Sequence, residues 1–554
     1  MTFENFIPPR CKSVLEITGE ISTDSESTKE KFLEIQPNCN YMVAKDFSTS
    51  DQKFDAILFQ SAAIDNLKNS ALVELIKNTA QSLNPRGRLI FTLDNIGYFE
   101  NVRAILQGQP LKFKITLSKL ELEQAISDAG LTTFNPMNAA RRRKIEPELV
   151  EAAKIDISVF KYIISATPEE LTTQTTIQIS IGEKIVCGLK RVFEPLNAIG
   201  TEPNTKIFFH ESRRTYNVLK EEEFGRRIFI NQRISFATFA EGRIFFEKLK
   251  RAGYLYLDEI DDNPIIWGDD YQKTGMVNFI GVHAVQTSTE YLADVLKQYN
   301  PNVKVFDNHL KSIAPLRDFK KQKKSPVRIF FGAVNRDEEF KEILPILNQF
   351  AQKYGDKIQF KIISRTENFK ALKSKNKILV GNPKQYDGQF VDYEIYLQTL
   401  RESDIALLPL IDSEFNRSKS DLKFIECGAC GAAVLASSVV YPKTVKDGVN
   451  GLIFHDNKEF AQKLQLLIEK REKRYDLATA AYEYVKNNRL LSQHYEERLD
   501  WYNELFERLD ELNVATQARI DKLAPQFKDE LPPQTQNVEG KVGQNAEIII
   551  PDTW

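Results

Sequence analysis

The chain has 554 residues, 42% of them hydrophobic and 27% charged, with 75 Lys plus Arg against 77 Asp plus Glu and a formal net charge of −2. That length exceeds what one hydrophobic core organises and implies three domains plus a tail. The near-neutral balance argues against a general nucleic-acid binder, and no apolar run is long enough to span a bilayer. Five scattered cysteines, Cys11, Cys39, Cys187, Cys427 and Cys430, and a start without a signal-peptide pattern point to a reducing cytoplasm, with the inner face of a membrane left open.

Residues 12 to 165 alternate strand and helix patterns: Ser13–Ile17, Asp55–Phe59, a helix over Leu72–Ser82, the turn Asn84-Pro85-Arg86-Gly87 and then Arg88–Leu93. This predicts an open α/β sheet in a domain over residues 1–165. The stretches Phe54–Phe59, Leu83–Phe91 and Ala129-Gly130-Leu131 resemble the second half of a class I S-adenosylmethionine methyltransferase. The first half departs from that pattern: a single glycine, Gly19, follows the first strand, and Glu20 and Asp24 would crowd the cofactor's carboxylate. The reading is a degenerate, non-catalytic methyltransferase-like domain, with S-adenosylmethionine binding doubtful and an active methyltransferase as the alternative. The basic run Arg141-Arg142-Arg143-Lys144 reads as a solvated helix face or loop, against a site for anionic lipid or nucleic acid.

A Thr-rich link from Thr167 to Thr176 marks a boundary. Apolar segments Ile177–Ile181, Ile207–Phe209, Tyr254–Ile260, Phe279–Val285 and Val303–Phe306, separated by helical stretches, predict a Rossmann-like domain over 175–318. The basic stretch from Phe319 to Pro326 reads as a solvated connection to a third domain over 325–512. Its strands are predicted at Val327–Phe331, Ile358–Ile363, Ile378–Val380 and Ile405–Leu408. Helices are then expected from about Lys458 to Leu509, followed by a flexible tail over 513–554 whose apolar end, Ile548–Trp554, is a docking peptide or disordered.

The richest segment is 418–437. A polar residue, Ser418 or Ser420, opens a short helix carrying Lys423 and Glu426, and small residues lead through Gly431 into an apolar strand. A helix start offers free N–H groups and a positive dipole end to a diphosphate, Lys419 or Lys423 adds charge, and a carboxylate such as Glu426 can accept two ribose hydroxyls. This segment resembles the donor-binding motif of retaining GT-B glycosyltransferases, two glutamates with seven residues between them followed by a small-residue turn and strand. Glu426 matches the second glutamate, Ser418 stands where the first belongs, and Lys423 fits the family's Lys-x-x-Glu variants. The stretches 285–308 and 447–454 resemble other parts of the same family. The fold this implies is α/β, with three Rossmann-like domains of which the last two form a GT-B unit and a terminal helix crosses back.

The resemblance implies a glycosyltransferase acting on a nucleotide-diphosphate sugar, retaining, with no metal and no cofactor required. On it, Arg336, Ser418, Lys419, Lys423 and Glu426 are donor-binding candidates, and Arg191 is a phosphate-binding candidate where the family often has a glycine-rich loop. Asp261 and Asp262, at a strand end on the cleft side, are candidates for orienting an acceptor hydroxyl, with a structural acidic loop and a metal site as alternatives. His283 is a third catalytic candidate against the reading of a core histidine, and Cys427 and Cys430 read as core packing. The expected partners are the nucleotide sugar and a glycan, lipid-linked or protein acceptor, with a peripheral membrane or protein partner left open and no nucleic acid. The competing readings are a bifunctional methyltransferase and glycosyltransferase, and a non-catalytic sugar-nucleotide-binding assembly protein.

Overall fold

Among the described residues, eighteen strands form three six-stranded sheets, each with hydrophobic cores on both faces. The structure is a computed structural model that describes residues 3–19, 23–48, 51–67, 69–94, 117–140, 159–171, 174–182, 186–210, 225–265, 269–321, 326–332, 334–384 and 386–528. The expected α/β class with three Rossmann-like sheets is met. The basic run 141–144, Glu20 and the terminus 548–554 lie outside the described residues.

The first sheet contains β1 (Ser13–Ile17), β2 (Asn40–Ala44), β3 (Phe54–Phe59), β4 (Leu83–Asp94), β5 (Thr132–Ala140) and β6 (Val159–Thr167), in the order β2-β1-β3-β4-β6-β5. All neighbours are parallel except β6, which runs antiparallel to both β4 and β5. The central strands bury both faces, Leu15, Ile57 and Leu89 on one and Val14, Ala56, Leu58 and Ile90 on the other, which is why they read as continuous apolar runs. The predicted turn at Asn84–Gly87 is a kink inside β4, with Arg86 at φ 61. At the end of β1, Gly19 has φ +69, and an added Cβ there would lie 2.6 Å from the backbone of Ala62 in the short helix α1 (Ser61–Ile64).

The second sheet, β7 (Thr175–Ile181), β8 (Thr205–His210), β9 (Arg226–Gln232), β10 (Tyr254–Glu259), β11 (Ala284–Thr287) and β12 (Val303–Val305), is ordered β12-β11-β10-β9-β7-β8 and all parallel. Helix α2 (Glu290–Lys297) follows β11, capped by Thr289. The expected strand Phe279–Val285 is corrected: Val277–Ile280 is a helical turn and the strand starts at Ala284. Asn300 explains it, because its Nδ2 donates to the carbonyls of Phe279 and Val282, both at 2.9 Å, and takes acceptors a strand would have offered its neighbour.

The third sheet, β13 (Val327–Gly332), β14 (Ile358–Ile363), β15 (Lys377–Leu379), β16 (Ile405–Leu408), β17 (Ala433–Ser437) and β18 (Leu452–Phe454), is parallel in the order β15-β14-β13-β16-β17-β18. Its helices include α3 (Asp337–Tyr354), α4 (Tyr393–Arg401), α5 (Glu414–Arg417) and α6 (Leu422–Ala429), and α7 (Arg471–Asn488) leads out of it. The chain then returns to the second sheet in α8 (Glu496–Glu507), where Tyr502 and Leu505 join the core of Ile177, Ile228 and Leu255. The tail expected from residue 513 is corrected over its first part. Helix α9 (Leu509–Leu523) buries Ile520 against the second sheet, Arg519 donates to the carbonyls of Ile280 and Val282, and Phe527 stacks on Phe239. Its weak amphipathic pattern hid this, since a few anchors carry the packing.

The first domain docks through a buried carboxylate, Glu202. It accepts from Arg10 Nε (3.1 Å), Arg88 Nη2 (3.0 Å) and Tyr495 Oη, so one side chain ties the first sheet, the second domain and the start of α8 together. Burial alone would raise its pKa, but Arg88, Arg10 and Tyr495 outweigh it and hold the carboxyl down at about 2. Truncation, Glu202→Ala, strands two cations at this junction and is expected to destabilise the protein by about 3–5 kcal/mol, read as a lowered thermal midpoint. An unchanged midpoint would show that the junction contributes nothing.

Three imidazoles give the fold a pH limit. Burial pushes His210 and His283 down to about 4, and burial with the neighbouring His494 and Arg489 pushes His309 to about 2. With folded values below the unfolded 6.5, the unfolded chain binds more protons in between, so stability is full above pH 6.5 and falls as the pH drops. The expected slope is about 1.4 kcal/mol per pH unit for each imidazole. Thermal midpoints taken from pH 7 to pH 5 should fall steadily; a flat profile would contradict the burial argument.

Candidate functional site

The third sheet reverses its strand order between β13 and β16, and the loops leaving those two strands meet above the gap. This is the switch point at which open α/β sheets hold ligands. Arg336, after β13, donates from Nη1 to Asn416 Oδ1 in α5 (2.6 Å) and to Glu339 in α3 (3.1 Å). The Asn416 amide also donates to Glu339, so the arginine sits in a preformed network at the junction of the two loops.

Helix α6 begins on this cleft. Its first residues follow Asp421, whose carboxylate pairs with Arg489 (Nη2 to Oδ1, 2.8 Å) and accepts from Thr444. Arg489 Nη2 also donates to the carbonyl of Asn308, where the chain leaves the second domain (2.8 Å). Asn308 Nδ2 in turn donates to Ser420 Oγ at 2.8 Å. Asp421, Arg489 and Asn308 thus fix the helix start against the opposite wall. Asn308 closes the stretch 285–308 that resembles the family, whereas no local pattern marks Arg489, which lies 68 residues from its partner.

Lys419 reaches across the cleft to Asp262, and Thr289 Oγ1 donates to the carbonyl of Ser418 at 3.1 Å. Arg233 holds both acidic candidates, Nε to Asp261 and Nη2 to Asp262, each at 2.6 Å. Asp261, Asp262 and Lys419 are therefore brought together at the domain boundary. Ser418 is buried and its Oγ donates to the carbonyl of Glu414 (2.9 Å), so it carries a helix-terminal bond.

Glu426 and Lys423 lie on the inner side of α6. Glu426 is fully buried, accepting from Tyr393 Oη (3.0 Å) and Tyr396 Oη (2.9 Å), with Lys423 Nζ at 3.6 Å and 4.0 Å above the Tyr396 ring. Burial first, then the Glu426 charge, pushes both tyrosines well above their ordinary value, so both hydroxyls stay protonated donors. The sequence motif held no sign of these tyrosines, which come from α4, a different part of the chain.

Two candidates are corrected. Arg191 uses all five guanidinium N–H groups inside the protein: two on Glu259, and the others on the carbonyls of Thr287 and Phe306 and on Asn308 Oδ1. It braces the ends of β10, β11 and β12 and has no donor left for a phosphate. His283 is fully buried, its Nδ1 accepting from the Tyr256 N–H (2.8 Å) and its Nε2 facing Asn513 Oδ1 in α9 (3.1 Å). It cannot reach the cleft. Cys427 and Cys430 are buried, and burial raises both thiols, Cys430 to about 12, as core cysteines require. Among the described residues, no three His, Cys, Asp or Glu side chains are grouped to hold a metal ion, and no helix is long and apolar enough to cross a membrane.

The two domains enclose a cavity of about 400 Å³, walled by the start of α2 on one side and by residues 412–421 and 438–443 on the other. Most of the donor-motif domain also matches a known family: residues 346–500 fit the model described as Glycosyl transferase-like. Over those residues the chain is similar to glycosyltransferases. No curated protein matches the sequence. Among solved structures, sucrose-phosphate synthase from Thermosynechococcus elongatus is 13% identical, with a TM-score of 0.42, over 60% of this chain and 99% of that one. HepE of Anabaena in complex with UDP and glucose is 12% identical, with a TM-score of 0.40, over 59% and 100%. A glycosyltransferase from Rickettsia africae is 14% identical, with a TM-score of 0.40, over 60% and 99%.

Replacing Arg191 with Met leaves Glu259 a buried carboxylate with Arg498 at 3.9 Å. The expected loss is about 3–5 kcal/mol, and Arg191→Lys should rescue little of it because one ammonium cannot span five acceptors. Thermal unfolding of the three proteins checks this; a stable Met variant would return Arg191 to the candidates for ligand binding.

Proposed function

We propose that this protein transfers a sugar from a nucleoside-diphosphate sugar to an acceptor hydroxyl in the cleft between its second and third sheets. The observations that support this reading are the Arg336 network with Asn416 and Glu339 at the β13–β16 switch point, and helix α6, which carries Lys423 beside Glu426. There, fixed N–H dipoles and cations can stabilise a departing diphosphate without reorganising. The bond from the anomeric carbon to the diphosphate oxygen breaks, the acceptor oxygen replaces it, and the acceptor's proton leaves with the diphosphate. Asp262, held between Arg233 and Lys419, is positioned to orient the acceptor hydroxyl. Because protein groups supply the positive charge, the reading needs no metal, and retention of configuration follows from the motif's resemblance alone. Glu426 binds the ribose by exchanging the Tyr393 hydroxyl for a sugar hydroxyl.

The N-terminal domain is read as a methyltransferase-like scaffold that binds no S-adenosylmethionine. Gly19 is pressed against α1, and Glu16 in β1 is engaged by Tyr41 Oη (2.8 Å) and by Gln60, which leaves little room for a cofactor at the strand end. A second reading, a non-catalytic binder of sugar nucleotides, is favoured by one feature: Ser418 bonds its own helix and Glu426 is already doubly capped.

Calorimetric titration of the full-length protein with UDP-, GDP- and ADP-sugars and with S-adenosylmethionine tests these readings. One nucleotide sugar should bind, about tenfold to a hundredfold more weakly in Glu426→Gln and in Lys423→Ala, the scale of one or two charged hydrogen bonds. Binding of none overturns the donor site, and binding of S-adenosylmethionine overturns the scaffold. Binding without turnover on any acceptor leaves the second reading standing.

A further inference from the structure

A lysine of the second domain bears on the Glu426 site of the third. Lys190 lies in the π-helical turn Leu189–Phe193 and is buried, with Nζ on both carboxylate oxygens of Glu194 (2.7 and 3.0 Å) and 4.7 Å above the ring of Tyr393 in α4. Arg191, the next residue, anchors the same turn through its bonds to Glu259, Thr287, Phe306 and Asn308. Tyr393 is one of the two tyrosines that donate to Glu426. Burial first, then the Glu426 and Glu194 charges, raise its pKa and keep its hydroxyl a donor.

Tyr396 stands beside Tyr393, with ring centroids 6.0 Å apart and planes inclined by 23°, and Lys423 lies above Tyr396. Cation, ring, ring and cation thus follow one another from the second domain to α6, with both hydroxyls on Glu426. A cation over a tyrosine ring is held by the ring's negative face, and the attraction grows as water is excluded. Glu194 balances the lysine, so the contact adds no net charge to the site.

A ribose hydroxyl that takes the place of Tyr393 on Glu426 has to turn that ring out of the seat in which Lys190 holds it. Whatever stabilises the seated ring reduces the fraction of molecules in which Glu426 is open, and the apparent donor affinity falls by that fraction.

We propose that Lys190 is a positioning residue that latches Tyr393 over Glu426, so that the second domain keeps the donor site closed until a nucleotide sugar displaces the ring. The inference rests on the reading of Glu426 as the ribose carboxylate and gives that site a gate. A lysine that bound the diphosphate itself would affect affinity in the opposite direction.

The test is calorimetric titration of the full-length protein with UDP, GDP, ADP and UDP-glucose. Lys190→Met combined with Glu194→Gln removes the latch without stranding a buried carboxylate. Lys190→Gln, which keeps a donor for Glu194 but loses the cation, is the second lysine variant, and Tyr393→Phe removes the hydroxyl that the donor has to displace. Thermal unfolding verifies the fold of each. All three should bind the nucleotide about tenfold more tightly than the wild type, the scale of one desolvated cation–π contact or one hydrogen bond to a charged group. Loss of a merely structural contact does not raise affinity. In a Tyr393→Leu background the lysine variants should have no further effect, because the ring through which Lys190 acts is gone. Wild-type binding that the lysine variants leave unchanged or weaken overturns the latch and leaves the donor reading standing. Nucleotide bound by none of the proteins overturns both.

Discussion

The cleft depends on one buried pairing, Arg489 with Asp421. Arg489 stands at the end of α7, just before the chain recrosses to the second domain, and Asp421 immediately precedes α6. By holding Asp421 and the Asn308 carbonyl at once, the guanidinium joins the outgoing crossover, the returning crossover and the helix start that faces the cavity. The pair is largely desolvated, so it is strong only because geometry supplies further bonds, here from Thr444 and Asn308. The two backbone bonds between Leu310 and the 489–491 segment lock the crossovers side by side. A rigid helix end over a switch point is what preorganised anion recognition requires.

Around that point the ionisable side chains divide by role according to how completely they are satisfied. Arg191 spends every donor on the strand ends of its own domain, and His283 spends both ring nitrogens between a backbone amide and α9. Such groups hold the walls. Lys419, Lys423 and Lys443 keep partial exposure at the cleft, and these can change partners when a ligand enters. Glu426 lies between the two classes: buried, but capped by neutral tyrosine hydroxyls whose bonds can be exchanged for those of a sugar.

The N-terminal sheet is attached in the same manner. Glu202 draws Arg10 and Arg88 onto the second domain and Tyr495 down from the start of α8, while Ile313 in the crossover donates its N–H to the Glu34 carbonyl. The first domain therefore contacts the crossover that sets the cleft, which makes it a brace for the transferase unit as well as a separate fold.

What the sequence alone determined was local and periodic. Segments such as Ile358–Ile363, with Gln359 and Lys361 inside it, and the apolar run Ile405–Leu408 were legible as strands, and the polar start, Lys423, Glu426 and Gly431 of the motif were legible because they are close in the chain. Strand β9 escaped, since its paired arginines and closing polar residues dilute the pattern, and the packed helix α9 was read as tail because three anchors decide its place. The tertiary structure alone decided which charges are free to act. Arg191 and Glu259 are 68 residues apart, Glu426 and Tyr396 are 30 apart, and Lys419 and Asp262 are 157 apart. Residue type announces that a group can bind a phosphate or move a proton, but only folding settles whether its hydrogen bonds are already used, because desolvation compels every buried polar group to find partners wherever the chain brings them.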